Sequence, residues 1–339
     1  MHRLTAAAPL LAATALALFC APASAHHSQS MFDTSKELVL EGTVSRFDWV
    51  NPHMYLVIAT KGPDGKPALV EGEGVGITQA LVDGLDRNAL KPGTPVVMRA
   101  NPNRGGWGKQ VRVLDVTTQD GEIHPFYAAN KRTRVLTPAE SLQGHWAPSR
   151  AGFGAAMGAM ARWPINAAAR AARDTAVDDG VCNLDSPPVL SIFDELRTIE
   201  VGKAEIVLKF DNTGDHGARV VHMTGAHPAS VQPSLMGHSI GRWDGKTLVI
   251  DTIGFPADSS GLSLNVPAGP RKHLVERLTL TEDRTRLRYE ATIEDPDFLT
   301  APATLTQQWD HRPDLEFDQD TGACDPEVAS RYKSSVPAK

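Results

Sequence analysis

From Leu38 to Thr118 the chain is cut into short apolar runs separated by turn residues. Leu38-Val39-Leu40-Glu41-Gly42-Thr43-Val44 is followed, after a turn at Asn51-Pro52, by Met54-Tyr55-Leu56-Val57-Ile58, and Lys66 to Gly74 gives a third such run. Runs of this length rich in β-branched and aromatic side chains predict strands. Ile77, Leu81, Leu85 and Leu90 then recur near helical spacing until Lys91-Pro92-Gly93 breaks the pattern, and Pro95 to Ala100 and Gln110 to Thr118 predict two further strands. Three strands, a helix and two strands is the order of an OB-fold, so residues 26–124 are expected to close into a small Greek-key barrel.

Between residues 125 and 180 the periodicity fades. Ala151 to Asp174 is rich in Ala, Gly and Arg and is interrupted by Pro164. That composition suits a linker with one or two short helices, or a disordered insertion. Beyond it the β pattern returns, with strands expected at Val189 to Phe193, Ala204 to Phe210, Arg219 to Met223, Thr247 to Thr252, His273 to Thr281, Arg286 to Ile293 and Ala303 to Trp309. Turn signals at Asp211-Asn212, Asp244-Gly245 and Asp283-Arg284 separate them. Strands at this spacing without long helices predict a mainly β fold, an antiparallel barrel or sandwich over residues 181–330, with 331–339 as a tail. Gly144-His145-Trp146 resembles the Gly-x-Trp opening of lipocalin-like barrels.

The first residues change the compartment expected for these domains. Arg3, an apolar stretch from Ala6 to Phe19 and the small-x-small triplet Ala23-Ser24-Ala25 have the three zones of a cleavable signal peptide over residues 1–25. The apolar stretch is shorter than the ~20 residues that span a bilayer, so no stable membrane span is expected and the destination is the periplasm or the medium. With Arg3 removed, 33 basic side chains face 40 acidic ones, a charge of −7 that argues against nucleic acid or anionic lipid as the main partner. Cys20 leaves with the leader. Cys182 and Cys324 remain, as a disulfide suited to an oxidising compartment or as two buried thiols.

Four groups of residues have chemistry to offer. Gly237-His238-Ser239-Ile240-Gly241 fits the Gly-x-Ser-x-Gly string that presents a nucleophilic serine, but Arg242 to Lys246 continues as a hairpin turn into a strand where that motif needs a helix. Glu290 and Glu294 share one strand face, yet four residues of strand span ~13 Å, beyond the ~5 to 9.5 Å between paired glycosidase carboxylates. Cleavage after Ala25 would give His26 a free α-amino group beside its imidazole, with His27 next to it and His53 as a third nitrogen donor, a set that suits Cu(II). His222, His227 and His238, with Met223 and Met236 close in sequence, form a second soft-metal candidate. The tryptophans at 49, 107, 146, 243 and 309 are expected to pack the cores or barrel ends.

Ala25-His26-His27-Ser28, Glu41-Gly42-Thr43-Val44 and Trp49-Val50-Asn51-Pro52-His53 together resemble an uncharacterised family of secreted proteobacterial proteins, a domain of unknown function, over residues 25–123. Gly237 to Trp243, Leu248 to Thr252 and Thr292 to Pro296 are similar to second halves joined to that domain. The resemblance implies two parts and export, and it carries no activity. Three functions are therefore expected to compete: an exported binding or accessory protein holding copper at His26, His27 and His53; a serine hydrolase using Ser239; and an envelope module without metal that binds a small ligand or an envelope component.

Overall fold

The computed structural model describes residues 31–50, 53–127, 136–175, 186–193, 196–210, 218–263 and 265–315. In the N-terminal half, β1 (Leu38–Asp48), β2 (Tyr55–Lys61) and β3 (Pro67–Glu73) form an antiparallel meander, and β4 (Pro95–Asn101) returns to the free edge of β1. β5 (Val111–Thr118) pairs antiparallel with β4 and parallel with β3 at Gly72↔Val111 and Glu73↔Arg112, which closes five strands into the OB-like barrel that the element order predicts. A register shift between Val44 and Arg46 bends β1 so that its two halves serve different neighbours. β6 (Ile123–Pro125) adds to the edge of β5.

The helix α1 (Ile77–Asp83) is shorter than the apolar spacing suggests, because Gly84 adopts a left-handed φ of 90° and ends it. Leu85 and Leu90 are nonetheless buried with Ile77, Ala80 and the inward residues Val44, Leu56, Ile58, Met98 and Val113. Closure of this barrel leaves no room at Gly72, where an added Cβ would lie 2.3 Å from Val113 Cγ2. Gly72→Ala is expected to cost about 1–3 kcal/mol through forced movement of β5, measurable as a lower urea midpoint.

The C-terminal half is a nine-stranded closed barrel in the order β10-β11-β12-β15-β16-β17-β7-β8-β9. Its strands are β7 (Gly144–Pro148), β8 (Arg197–Val201), β9 (Glu205–Phe210), β10 (Arg219–His222), β11 (His238–Asp244), β12 (Thr247–Ile253), β15 (His273–Leu280), β16 (Arg286–Glu294) and β17 (Ala303–His311), while β13 (Asp258–Ser263) and β14 (Val266–Ala268) make a separate hairpin. Neighbours pair antiparallel except at one seam, where β10 and β11 run parallel through Val221↔Ser239. The connection that makes this seam, residues 223–237, returns the chain to the end of the barrel where β10 begins.

Two sequence expectations are corrected here. The second domain starts before residue 181: β7, inside the stretch taken as a linker, pairs with both β8 and β17 and buries Trp146 completely. Helices α2 (Arg150–Met160) and α3 (Ala167–Thr175) follow it, and α2 packs along β17, so closely that a Cβ on Gly152 would sit 2.7 Å from the Gln308 nitrogen. Val189–Phe193, expected as a strand, is the short helix α4. A five-residue apolar run has no periodicity to separate a buried strand from a buried helix. Here Leu190 and Ile192 join the core, and the carbonyls of Ser191 and Ile192 accept hydrogen bonds from Arg197 and Gln307. Among the tryptophans, 146 and 309 are core residues, whereas Trp107 and Trp243 are exposed. No helix among the described residues is long and apolar enough to cross a membrane.

Candidate functional site

His53 sits just before β2, at the end of the small barrel where Met54 exchanges backbone hydrogen bonds with Gly74 and Val75. Its Nδ1 lies 3.0 Å from the Gly74 carbonyl oxygen, 3.2 Å from the Tyr127 hydroxyl and 3.2 Å from Glu73 Oε1. A carbonyl oxygen only accepts, so Nδ1 carries the ring proton and Nε2 is the basic nitrogen. Burial holds the His53 pKa below the usual imidazole value, against the Gly74 hydrogen bond that favours the charged form. The ring is therefore neutral at neutral pH.

Around His53 the polar groups are packed tightly. Glu73 is 1 % exposed. The Arg112 guanidinium lies 4.0 Å above the Tyr127 ring centroid and donates from Nη1 to Asn101 Oδ1 at 3.0 Å. Burial lowers the Arg112 pKa from its ordinary value, while Tyr127 and Glu73 pull it back up. The described chain enters beside this group: Phe32 bridges to Asn103, and the Met31 carbonyl accepts from the Arg104 nitrogen. His26 and His27 lie outside the described residues, as do Cys182 and Cys324.

A second polar group occupies one rim of the large barrel, on its outer surface. β10 ends at His222, β11 begins at His238, Asp251 is two residues from the end of β12, β15 begins at His273 and β16 ends at Glu294. β10 is short and pairs only with the first residues of β11, His222 lying opposite Ile240, and the other neighbours pair antiparallel, so all five residues lie toward one end. His227, from the crossover, completes the set. Its Nε2 donates to Asp251 Oδ1 at 2.9 Å, and its Nδ1 lies 2.8 Å from Nδ1 of His238. His273 Nε2 lies 3.2 Å from both Asp251 oxygens, and its Nδ1 is 3.5 Å from Glu294. The His222 ring lies tilted against that of His238, with 5.2 Å between ring centroids, and bonds Glu205 Oε1 through Nδ1 at 3.0 Å.

The charges of this group follow from these contacts. Burial opposes ionisation of Asp251, and the hydrogen bonds from His227 and His273 override it, so the carboxyl titrates below its ordinary range. Burial, followed by repulsion from His227 and His222, lowers the pKa of His238. Among the described residues no three or more His, Cys, Asp or Glu already form a set able to hold a metal ion.

Directly behind this rim the barrel interior is also polar. Five neighbouring strands contribute Arg219, Ser239, Thr252, Glu276 and Tyr289, none more than 1 % exposed. Arg219 forms a two-pronged ion pair with Glu276 and also donates to Ser239 Oγ at 3.0 Å and Thr252 Oγ1 at 2.6 Å. Tyr289 donates to Glu276 Oε1 at 2.8 Å, and burial, then the Glu276 charge, pushes its pKa well above the phenol value. Ser239 thus bonds a guanidinium and a hydroxyl, and its strand runs into the β11–β12 hairpin, where Gly245 makes the turn with φ of 61°. A base and a following helix, which a nucleophile elbow needs, are not what surrounds Ser239.

Sequence reasoning brings forward His222, His227 and His238 and misses Asp251, His273 and Glu205, which fix their orientation. The signal was present in the strand alternation: Ser239 and Thr252 face inward, so His238 and Asp251 beside them face out. Met223 and Met236 serve packing instead, Met223 against Gly241 and Met236 against the barrel core. Glu290 and Glu294 separate into different contacts, with Arg288 at 3.4 Å and with His273.

Residues 14–112 match the family model DUF6152, a family of unknown function, and the match takes in β1 to β4 and the first residues of β5. No curated protein and no solved structure matches the chain.

Proposed function

We propose that this chain is an exported binding or accessory protein of the cell envelope that holds copper, with the α-amino group and imidazole of His26, the imidazole of His27 and Nε2 of His53 as ligands. The observation that carries this reading is the hydrogen bond from His53 Nδ1 to the Gly74 carbonyl, which fixes the tautomer with Nε2 basic, as carbonyl and carboxylate partners do for metal-bound imidazoles.

The test is copper uptake by the exported chain, beginning at His26. One equivalent of Cu(II) is expected to give a type-2 electron paramagnetic resonance signal with nitrogen splitting. A version carrying one extra residue before His26 loses the amine chelate, and His53→Gln loses the third nitrogen. Each should weaken binding of that equivalent at least tenfold. Equal binding by all three proteins, or a secreted chain that starts elsewhere by mass spectrometry, would remove this function.

A further inference from the structure

Independently of the His53 site, we propose that the rim of the nine-stranded barrel binds a divalent transition-metal ion, with His227 and His238 as the preformed pair of ligands and His222 as the third. The central observation is the 2.8 Å separation between the Nδ1 atoms of His227 and His238. Two nitrogens held ~2.0 Å from one ion lie ~2.8 Å apart at a right angle and ~3.3 Å apart at a tetrahedral angle. The pair is thus already at the spacing of adjacent ligands on a square-planar ion such as Cu(II), and within a few tenths of an ångström of the spacing for Zn(II). In the metal-free protein this contact is a hydrogen bond between the two rings.

The surroundings of the pair are those of a ligand set. Asp251 fixes His227 through Nε2, and Glu205 fixes His222 through Nδ1. Carboxylates bonded to one ring nitrogen orient the other toward a metal and raise its basicity. His273 bonds the same Asp251, which steadies the carboxylate from its far side. His222 is the ligand that has to move. Its ring stands 5.2 Å from that of His238, and both it and its partner Glu205 are exposed, at 41 % and 51 %, so the bonded pair can turn together toward His227 and His238.

A purely structural role accounts for less. The strands at this rim are held by their backbone ladders, and none of the three rings belongs to the apolar core. Three imidazoles in ring contact on an open surface do not strengthen a barrel whose interior is packed behind them. Such an arrangement does concentrate soft nitrogen donors.

The experiment titrates the full exported chain with Cu(II) and, separately, with Zn(II) by calorimetry, alongside His227→Gln, His238→Gln and His53→Gln. One equivalent should weaken at least tenfold in His227→Gln and in His238→Gln and stay unchanged in His53→Gln, so this site and the N-terminal one fail separately. Imidazole nitrogen splitting in the Cu(II) spectrum should fall in the same two rim variants. Asp251→Asn, which keeps the shape and removes the charge, should weaken the equivalent about tenfold or more. His227 lies on the crossover outside any strand, so its variant should melt at the parent temperature without metal. The proposal is overturned if the parent takes up no ion beyond the equivalent that His53→Gln removes, or if both rim variants bind as the parent does.

Discussion

Glu276→Gln should lower the unfolding free energy of the nine-stranded barrel by about 3–5 kcal/mol, because it leaves Arg219 as a buried and uncompensated charge. Both members of the pair are 1 % exposed, so water cannot take over from the missing carboxylate. The loss also spreads. Tyr289 donates to Glu276 Oε1, while Ser239 and Thr252 hold the remaining guanidinium nitrogens, so one substitution disturbs contacts from five strands. Arg219→Met should cost a similar amount by stranding the carboxylate. The double variant Arg219→Met/Glu276→Leu should regain at least ~2 kcal/mol over either single change, since an apolar pair of similar volume carries no desolvation cost. Urea unfolding followed by tryptophan fluorescence reports on this barrel, which buries Trp146 and Trp309. A loss below ~1 kcal/mol for Glu276→Gln would mean that the guanidinium is solvated or neutralised by another group.

The polar interior explains what was legible in the sequence and what was not. The small barrel could be laid out from sequence because its strands are long enough, as in Leu38 to Val44 or Met54 to Ile58, to carry the β signal locally, and their order with the helix matches one known barrel. β7 could not, since Gly144-His145-Trp146-Ala147-Pro148 is too short to show alternation, and its partners at residues 197–199 and 309–311 are remote. The same reasoning separates the two halves of the rim site. His222, His227 and His238 lie within 17 residues of one another and stand out as a group. Asp251 and His273 join them only through a barrel closed by pairings such as Val275↔Thr292 and Val249↔Arg277. Nothing in the sequence marks Arg219 and Glu276 as a buried pair. Only closure shows that both side chains point inward.

Lys272, just before β15, should make the stability of this barrel depend on pH in a direction opposite to that of a surface lysine pair. Its Nζ is buried and donates to Ser186 Oγ at 2.8 Å, the Pro187 carbonyl at 2.9 Å and the Gly261 carbonyl at 3.0 Å, with the Phe255 ring centroid 4.0 Å away. Three acceptors and an aromatic face suit an ammonium. Desolvation nevertheless dominates: despite Asp258, Asp295 and Glu276, and with Arg219 adding repulsion, the pKa falls from 10.5 to about 7. Between those two values the unfolded chain keeps a proton that the folded chain has released, so unfolding becomes harder as pH rises, by up to about 1.4 kcal/mol per pH unit. Below pH 7 both states are charged and the full cost of burying the ammonium is present. Lys272→Met removes this titration and leaves Ser186, which also donates to Asp258 Oδ2, and two carbonyls without their donor. The parent should therefore exceed the variant in stability by several kcal/mol more at pH 9.5 than at pH 6.5, as read from urea unfolding at both values. Parallel pH profiles for the two proteins would show that Lys272 keeps an ordinary pKa and that its three acceptors outweigh its burial.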